Sequence, residues 1–261
     1  MSTSSLRACR TLLAQDPIAN VLPLGDLYMP LLRVSDVYSV AKGKRVVGVC
    51  TVYRAFSPPS VVVGTSTHEV KRALLKKALA TILSEFISLC RSNDINLFRE
   101  CATIVHSHME QQMIAAPPKQ IEHGAIKVER VDENELEVLD KFYVEHRAEA
   151  WVPIQFEAGP YYCIKQDGKI VSAAGVHAVT PKIASLGNIL TDKAYRNRGF
   201  ATACTSVLAG DLASKGRIIS LFVRTDNMFA IRLYEKLGFR KTGDFAFLIM
   251  RKKACAAIAG R

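Results

Sequence analysis

Tyr195-Arg196-Asn197-Arg198-Gly199-Phe200-Ala201-Thr202 is a basic, small-residue turn set between two apolar segments. Before it, Lys182-Ile183-Ala184-Ser185-Leu186-Gly187-Asn188-Ile189-Leu190-Thr191 reads as a strand. After it, Ala201, Cys204, Leu208 and Leu212 recur at helical spacing until Lys215-Gly216 stops the helix. A strand that turns sharply into a helix aims the free N–H groups of the first helical turn at one spot. Small residues there let a phosphate approach the backbone, and flanking arginines add charge. The order strand, Arg-x-x-Gly-x-Ala, helix therefore reads as a seat for a pyrophosphate. Taken alone, the same glycine also suits a plain steric corner with solvated arginines beside it.

A second segment bears on that choice. Arg217 to Val223 is an apolar strand that runs through Asp226-Asn227 into Met228 to Phe239. Asp226 or Asn227 suits a helix N-cap, and Gly238 suits the C-terminal stop. Asn227 and Tyr234 are two turns apart, about 10.5 Å along a helix axis, so they share a face. A simple cap and a core aromatic are the structural alternatives for the two residues.

Together the two segments resemble the GNAT superfamily of acyl-CoA-dependent N-acyltransferases. Arg196-Asn197-Arg198-Gly199-Phe200-Ala201 matches its cofactor loop, Arg/Gln-x-x-Gly-x-Gly/Ala. Asn227 to Phe239 matches its second signature, Asn-x-x-Ala-x-x-x-Tyr-x-x-x-Gly-Phe, in full. The resemblance covers roughly residues 126–250, with both motifs in the family's order.

The resemblance implies roles residue by residue. Backbone groups of Ile189, Leu190 and Thr191 pair with the pantetheine arm as if it were an added strand. Arg196, Arg198, Gly199, Phe200, Ala201 and Thr202 surround the pyrophosphate, chiefly through main-chain N–H groups. Asn227 bonds the cofactor along its pantetheine or adenylate part, and Tyr234 sits near the thioester sulfur. Acetyl-CoA is the implied cofactor, and a small amine, an amino acid or a protein amine the implied acceptor. In the expected chemistry the amine attacks the thioester carbonyl, a backbone N–H near Leu190 steadies the oxyanion, and Tyr234 protonates the departing sulfur.

The strand before the loop departs from many relatives. Where they carry a glutamate, this chain has Ser185, Leu186, Gly187 and Asn188. The base that deprotonates the amine is left open between Glu157, His177, Glu149 and a water held by Asn188. A non-catalytic acyl-CoA-binding or regulatory module is the alternative that the missing carboxylate raises.

The expected fold class is α/β (α+β), a mixed, mostly antiparallel sheet flanked by helices, as a tandem of two related halves. In the second half, strands at 161–165, 169–179 and 183–191 precede a helix at 199–215, a strand at 218–223 and a helix at 228–237. Upstream, strands at 37–41, 46–53 and 60–63 precede a helix from His68 to about Arg91, a strand at 95–100 and a helix at 103–115. The expected domains are a degenerate copy at 1–120, a catalytic one at 121–250, and a basic, Ala-rich tail at 251–261. The joint falls near Ala115-Ala116-Pro117-Pro118-Lys119-Gln120. The first copy's turn, Gly64-Thr65-Ser66-Thr67-His68, lacks the arginines, and that half lacks an Asn…Tyr pair. Its expected role is to wall off the substrate side. A resemblance to the amino-acid N-acyltransferases rests there on Asp16-Pro17-x-x-Asn20 and Leu24-Gly25-Asp26-Leu27.

Composition narrows the class. The 261 residues are 49% hydrophobic, enough for one large core or two smaller ones. Seven cysteines without a C-x-x-C pair point to reduced thiols, and no metal site is read, His106-Ser107-His108 lacking further ligands nearby. Net charge is +11, which helps a polyanion such as coenzyme A arrive. No nucleic-acid motif accompanies the charge, so that partner is not expected. No apolar run approaches the ~18 residues of a membrane span. Met1 to Gln15 carries Arg7 and Arg10 without an acid, as transit peptides do, but reads equally as a first helix. The cytoplasm is the expected location, and a monomer or homodimer the expected state. Glu129 to Glu149 is locally acidic, either a solvated face or part of an acceptor groove.

Overall fold

In the computed structural model, which describes residues 3–121 and 124–253, two helices open the chain, α1 (Thr3–Leu13) and α2 (Val21–Gly25). The first half continues as β1 (Ser35–Lys42), β2 (Arg45–Tyr53), β3 (Ser60–Val63), α3 (His68–Ala80), β4 (Glu85–Arg91), α4 (Ile95–Cys101) and β5 (Ala102–Ala115). After the short β6 (Glu129–Arg130), α5 (Leu136–Glu145) and α6 (Ile154–Ala158) the same order recurs. It runs β7 (Tyr162–Gln166), β8 (Lys169–Val179), β9 (Ile183–Thr191), α7 (Phe200–Ser214), β10 (Ile218–Arg224), α8 (Met228–Lys236) and β11 (Arg240–Lys252). Both halves thus read β-β-β-α-β-α-β. Of the expected tail, Arg251 and Lys252 belong to β11, and residues from 254 on lie outside the described ones. Among the described residues no helix is long and apolar enough to cross a membrane.

Three assignments in the first half differ from the sequence reading. The helix from His68 stops at Ala80, where Thr81 donates its hydroxyl to the Ala78 carbonyl and closes the last turn. Glu85–Arg91 is then a strand burying Phe86, Ser88 and Cys90 at period two. Ile95–Cys101 is a helix, because it buries the adjacent pair Leu97 and Phe98, which a strand would send to opposite faces. Thr103–Ala115 falls within β5, since both of its edges are taken by other strands.

Among the described residues one eleven-stranded sheet has the order β1-β2-β3-β4-β11-β5-β10-β9-β8-β7-β6. The pairings are antiparallel except β3–β4 and β9–β10, which occupy equivalent places in the two halves. The closing strands are exchanged. β11, from the second half, lies between β4 and β5, while β5, from the first half, lies beside β10. Packing follows the exchange. Leu248 and Met250 of β11 join the first half's core with Leu74, Phe86 and Leu97. Met113 and Ala115 of β5 join the second half's core with Leu139, Tyr143, Tyr161 and Leu208. A fully buried side chain of this size contributes about 1.5–3 kcal/mol, so the exchange ties the halves through both cores.

Candidate active site

Strands β9 and β10 run parallel only from Ile183↔Ile218 to Leu186↔Leu221. Beyond that point β10 stays with β5 as far as Arg224↔Glu110, and β9 stays with β8, pairing Leu190 with Ala173 and Thr191 with Ser172. The two strands part, and the edge of Ile189, Leu190 and Thr191 that faces β10 is left without a ladder partner. The parting begins at an irregularity in β9, where the register against β8 shifts and Asn188 adopts φ +53°. The Tyr143 hydroxyl donates to the Asn188 carbonyl at 2.6 Å and fixes this bend.

From Thr191 the chain enters the basic turn. The Asp192 carboxylate accepts from the Ala194 amide at 2.8 Å and starts a short turn over Lys193–Tyr195. Asn197 and Gly199 then take φ +62° and +80°, which point the chain into α7. A β-carbon at Gly199 would meet only Ile126 at 3.7 Å, so its surroundings are open. Gly199 stands at the N-cap position of α7, its carbonyl accepting from the Ala203 amide at 2.9 Å, and no side chain caps the helix. The first-turn amides of Phe200, Ala201 and Thr202 have no partner within the helix. Arg196 and Arg198 are exposed beside them, Arg198 lying over the Tyr195 ring.

The equivalent turn of the first half is filled by protein. Thr67 caps α3 by accepting from the Val70 amide, and the Asn20 side chain accepts from the Thr65 amide at 2.7 Å. Asn20 also donates to the Leu13 and Asp16 carbonyls, which accounts for the Asp16-Pro17-x-x-Asn20 pattern as a plug.

On α8, Asn227 accepts from the Ala230 amide at 3.2 Å, so its oxygen caps the helix and its amide nitrogen remains for another partner. Tyr234 is 7% exposed, its ring 6.0 Å from that of Phe239, and its hydroxyl bonds no described residue. Burial pushes its phenol above the ordinary value, so it is protonated at neutral pH.

Ile189, Leu190, Thr191, Arg196, Gly199, Phe200, Ala201, Thr202, Asn227 and Tyr234 border one cleft of about 1290 Å³ that runs on into the first half; Arg198 does not line it. Of the carboxylates and histidine considered as bases, Glu157 is not on it; this exposed residue pairs with Arg33. Glu149 is exposed at the cleft. His177 borders it, half-buried, with a pKa lowered to about 4 by desolvation, and its Nδ1 accepts from Gln155 at 3.1 Å. The Asn188 amide donates to Gln155 at 2.9 Å and to the Tyr161 hydroxyl at 3.0 Å, while its oxygen is buried without a partner. The acids of Glu129 to Glu149 act mainly as structure: Glu129 and Glu135 hold Lys165, Asp132 caps a turn, and Asp140 accepts from Trp151. Sequence reasoning overlooked Asp26 as a site residue. It is 8% exposed, borders the cleft, and accepts from Thr51 at 2.6 Å; burial raises its carboxyl to about 7. Its signal was a lone acid inside Val21-Leu22-Pro23-Leu24-Gly25-Asp26-Leu27.

The sequence pattern of the Acetyltransferase (GNAT) family matches residues 131–239. The ribosomal protein bS18-alanine N-acetyltransferase of Escherichia coli strain K12 is 33% identical over 108 residues, which are 38% of this chain and 72% of that relative. A solved Drosophila protein superposes with TM-score 0.72 at 12% identity, covering 96% of this chain and 97% of its own. A GCN5-related N-acetyltransferase-like protein from Streptococcus suis gives 0.65 at 18% identity, covering 95% and 99%. A tandem GNAT protein from the clavulanic acid biosynthesis pathway gives 0.58 at 13% identity, covering 97% and 96%. At these identities the structural likeness is one of fold.

Proposed function

This chain belongs to the acetyltransferase (GNAT) family, and from that premise we propose how its residues divide the work of moving an acetyl group from acetyl-CoA to a primary amine. Membership makes it an N-acetyltransferase; the roles below are our reading. The observation that carries them is the uncapped start of α7 beside the free edge of β9, at the end of the cleft that Tyr234 also borders.

Acetyl-CoA supplies the activated acyl group as a thioester. The amides of Phe200, Ala201 and Thr202 hold its diphosphate, aided by Arg196 and Arg198, as a helix N-terminus holds an anion. The backbone of Ile189, Leu190 and Thr191 pairs with the pantetheine arm along the edge that β10 leaves. Asn227 uses its remaining amide nitrogen on the same arm. A β9 amide near Leu190 steadies the developing oxyanion, and Tyr234, kept protonated by burial, donates to the leaving sulfur. The buried thiols of Cys9, Cys50, Cys90, Cys163 and Cys204 support a reducing, cytoplasmic setting.

Two measurements test this reading. Calorimetry with the full chain is expected to detect acetyl-CoA binding. Release of free thiol is expected with at least one member of a panel of small amines, amino acids and an alanine-terminated peptide, the last suggested by the relative's name. Failure of acetyl-CoA to bind overturns the assignment of the cofactor seat.

A further inference from the structure

The wall of the cleft opposite the basic turn comes from the first half. Helix α2 is pressed onto the second half so closely that a β-carbon on Gly25 would lie 2.3 Å from the Ala178 Cβ of β8. Next to Ala178 is His177, whose ring occupies the space over Gly187, where a β-carbon would come within 1.9 Å of it. Gly187 in turn precedes the bend at Asn188. Asp26, immediately after Gly25, borders the same cleft as His177, Gly187 and Asn188.

Its surroundings there are selective. Thr51 gives the Asp26 carboxylate one hydrogen bond. Tyr53, on the same strand, is 5% exposed and borders the cleft, and its hydroxyl is buried without a partner. Leu22, Leu31, Phe56, Ile87, Leu89 and Phe247 line the rest of this end. The acids that the first half brings are Asp26 and Glu110, the latter 3.0 Å from His108; among the described residues it brings no lysine or arginine. A buried carboxylate with one donor is poorly compensated, and a cation is what compensates it.

We propose that Asp26 receives the acceptor as its ammonium and takes one proton from it, and that this acceptor is a primary amine on an apolar body with no carboxylate of its own. The proposal rests on the acetyl-transfer reading above. The carboxylate becomes the acid and the ammonium becomes the free amine. The nitrogen lone pair then forms the bond to the thioester carbonyl carbon, and the carbon–sulfur bond breaks with its electron pair left on sulfur. Sulfur takes the Tyr234 proton, and the second proton lost by nitrogen restores the phenol through solvent. A carboxyl raised to about 7 suits this exchange at neutral pH. On β2, Tyr53 lies on the face of Thr51 and Cys50 on the other, both raised by burial and by Asp26 itself, and His177 of β8 borders the same cleft. Arg10 of α1 is turned to the Leu27 carbonyl.

The test uses the full chain, its Asp26→Asn and Tyr53→Phe variants, and two probes that differ by one carboxylate, 2-phenylethylamine and phenylalanine. Wild-type protein is expected to acetylate 2-phenylethylamine with a kcat/KM at least ~10²-fold above phenylalanine, rising with pH through about 7 as the carboxylate forms. Asp26→Asn is expected to lose about 10²-fold in kcat and that pH limb, with acetyl-CoA affinity kept. In calorimetry on protein saturated with coenzyme A, it is expected to bind 2-phenylethylamine at least ~10-fold more weakly, and Tyr53→Phe several-fold more weakly. Acetyl-CoA binding with unchanged turnover and amine affinity in Asp26→Asn overturns this inference alone. Preference for phenylalanine, or turnover of a peptide only, overturns the acceptor class. A wild-type chain that binds no acetyl-CoA overturns both this and the reading beneath it.

Discussion

The carbonyl oxygen of the Asn20 side chain stands 2.7 Å from the Thr65 amide, at the strand-to-helix turn that in the other half is left open at Gly199. One fold therefore carries the same corner twice, once filled from within and once free. The filled copy cannot seat an anion, because its amide already has an acceptor and Thr67 caps the helix behind it.

Replacing Asn20 by Ala is expected to destabilise the chain by about 2–4 kcal/mol. The change strands the Thr65 amide, at about 1–3 kcal/mol, and removes the side-chain donor from the Leu13 and Asp16 carbonyls, which each keep a backbone N–H, at about 0.5 kcal/mol apiece. Denaturant unfolding measures the loss. Acetyl-CoA affinity, measured well below the transition, is expected to be unchanged; a large loss there would tie the first half's turn to the cofactor.

Gly199→Val acts on the open copy. A β-branched residue at φ +80° costs about 1–2 kcal/mol, while the nearest other atom is 3.7 Å from the new β-carbon. The fold is expected to survive, and acetyl-CoA affinity to fall by at least ~10²-fold, because the side chain enters the space into which the α7 amides point. Calorimetry decides; near-normal affinity removes this corner from the cofactor site.

The open corner and the two ends of α8 were legible in the sequence because each is a local event, whereas Asn20 fills the first half's turn from 45 residues away. Gly199, Asn227 and Gly238 act on their own neighbours, and their spacing along the chain is their spacing along a helix. The exchange of β5 and β11 was not legible. It is decided by which edges remain free after both halves form, and residues 103–115 carry no local mark of lying between β10 and β11. Asp26 escaped for a related reason. Its chemistry comes from Thr51 and from Gly25 packing on Ala178, partners 25 and 152 residues away.

Asp26 and His177 make opposite demands on pH. The Asp26 carboxyl rises from 3.8 to about 7 in the folded chain, so its contribution to stability is full below 3.8 and is lost as pH rises through 7. The His177 imidazole falls from 6.5 to about 4, so its contribution is full above 6.5 and is lost as pH falls through 4. Between about 4 and 6.5 the two offset one another, each on the order of 3 kcal/mol. Asp26→Asn is expected to gain stability across that window relative to wild type, and His177→Gln to lose it. Urea unfolding at several pH values reads the slopes; parallel curves for all three proteins would contradict the assigned burial.

Tyr234→Phe separates binding from chemistry. The hydroxyl bonds no described residue and the ring stays against Phe239, so stability is expected to change by less than about 1 kcal/mol. Acetyl-CoA affinity is expected to hold, because the seat at Phe200–Thr202 and the β9 edge are untouched. The kcat is expected to fall by about 10² to 10⁴, since the departing thiolate loses its proton donor. The deficit is expected to shrink for thioesters whose thiols are more acidic, which leave without help. A deficit equally large for every leaving group would make the phenol a packing residue, and full turnover would remove it from the reaction.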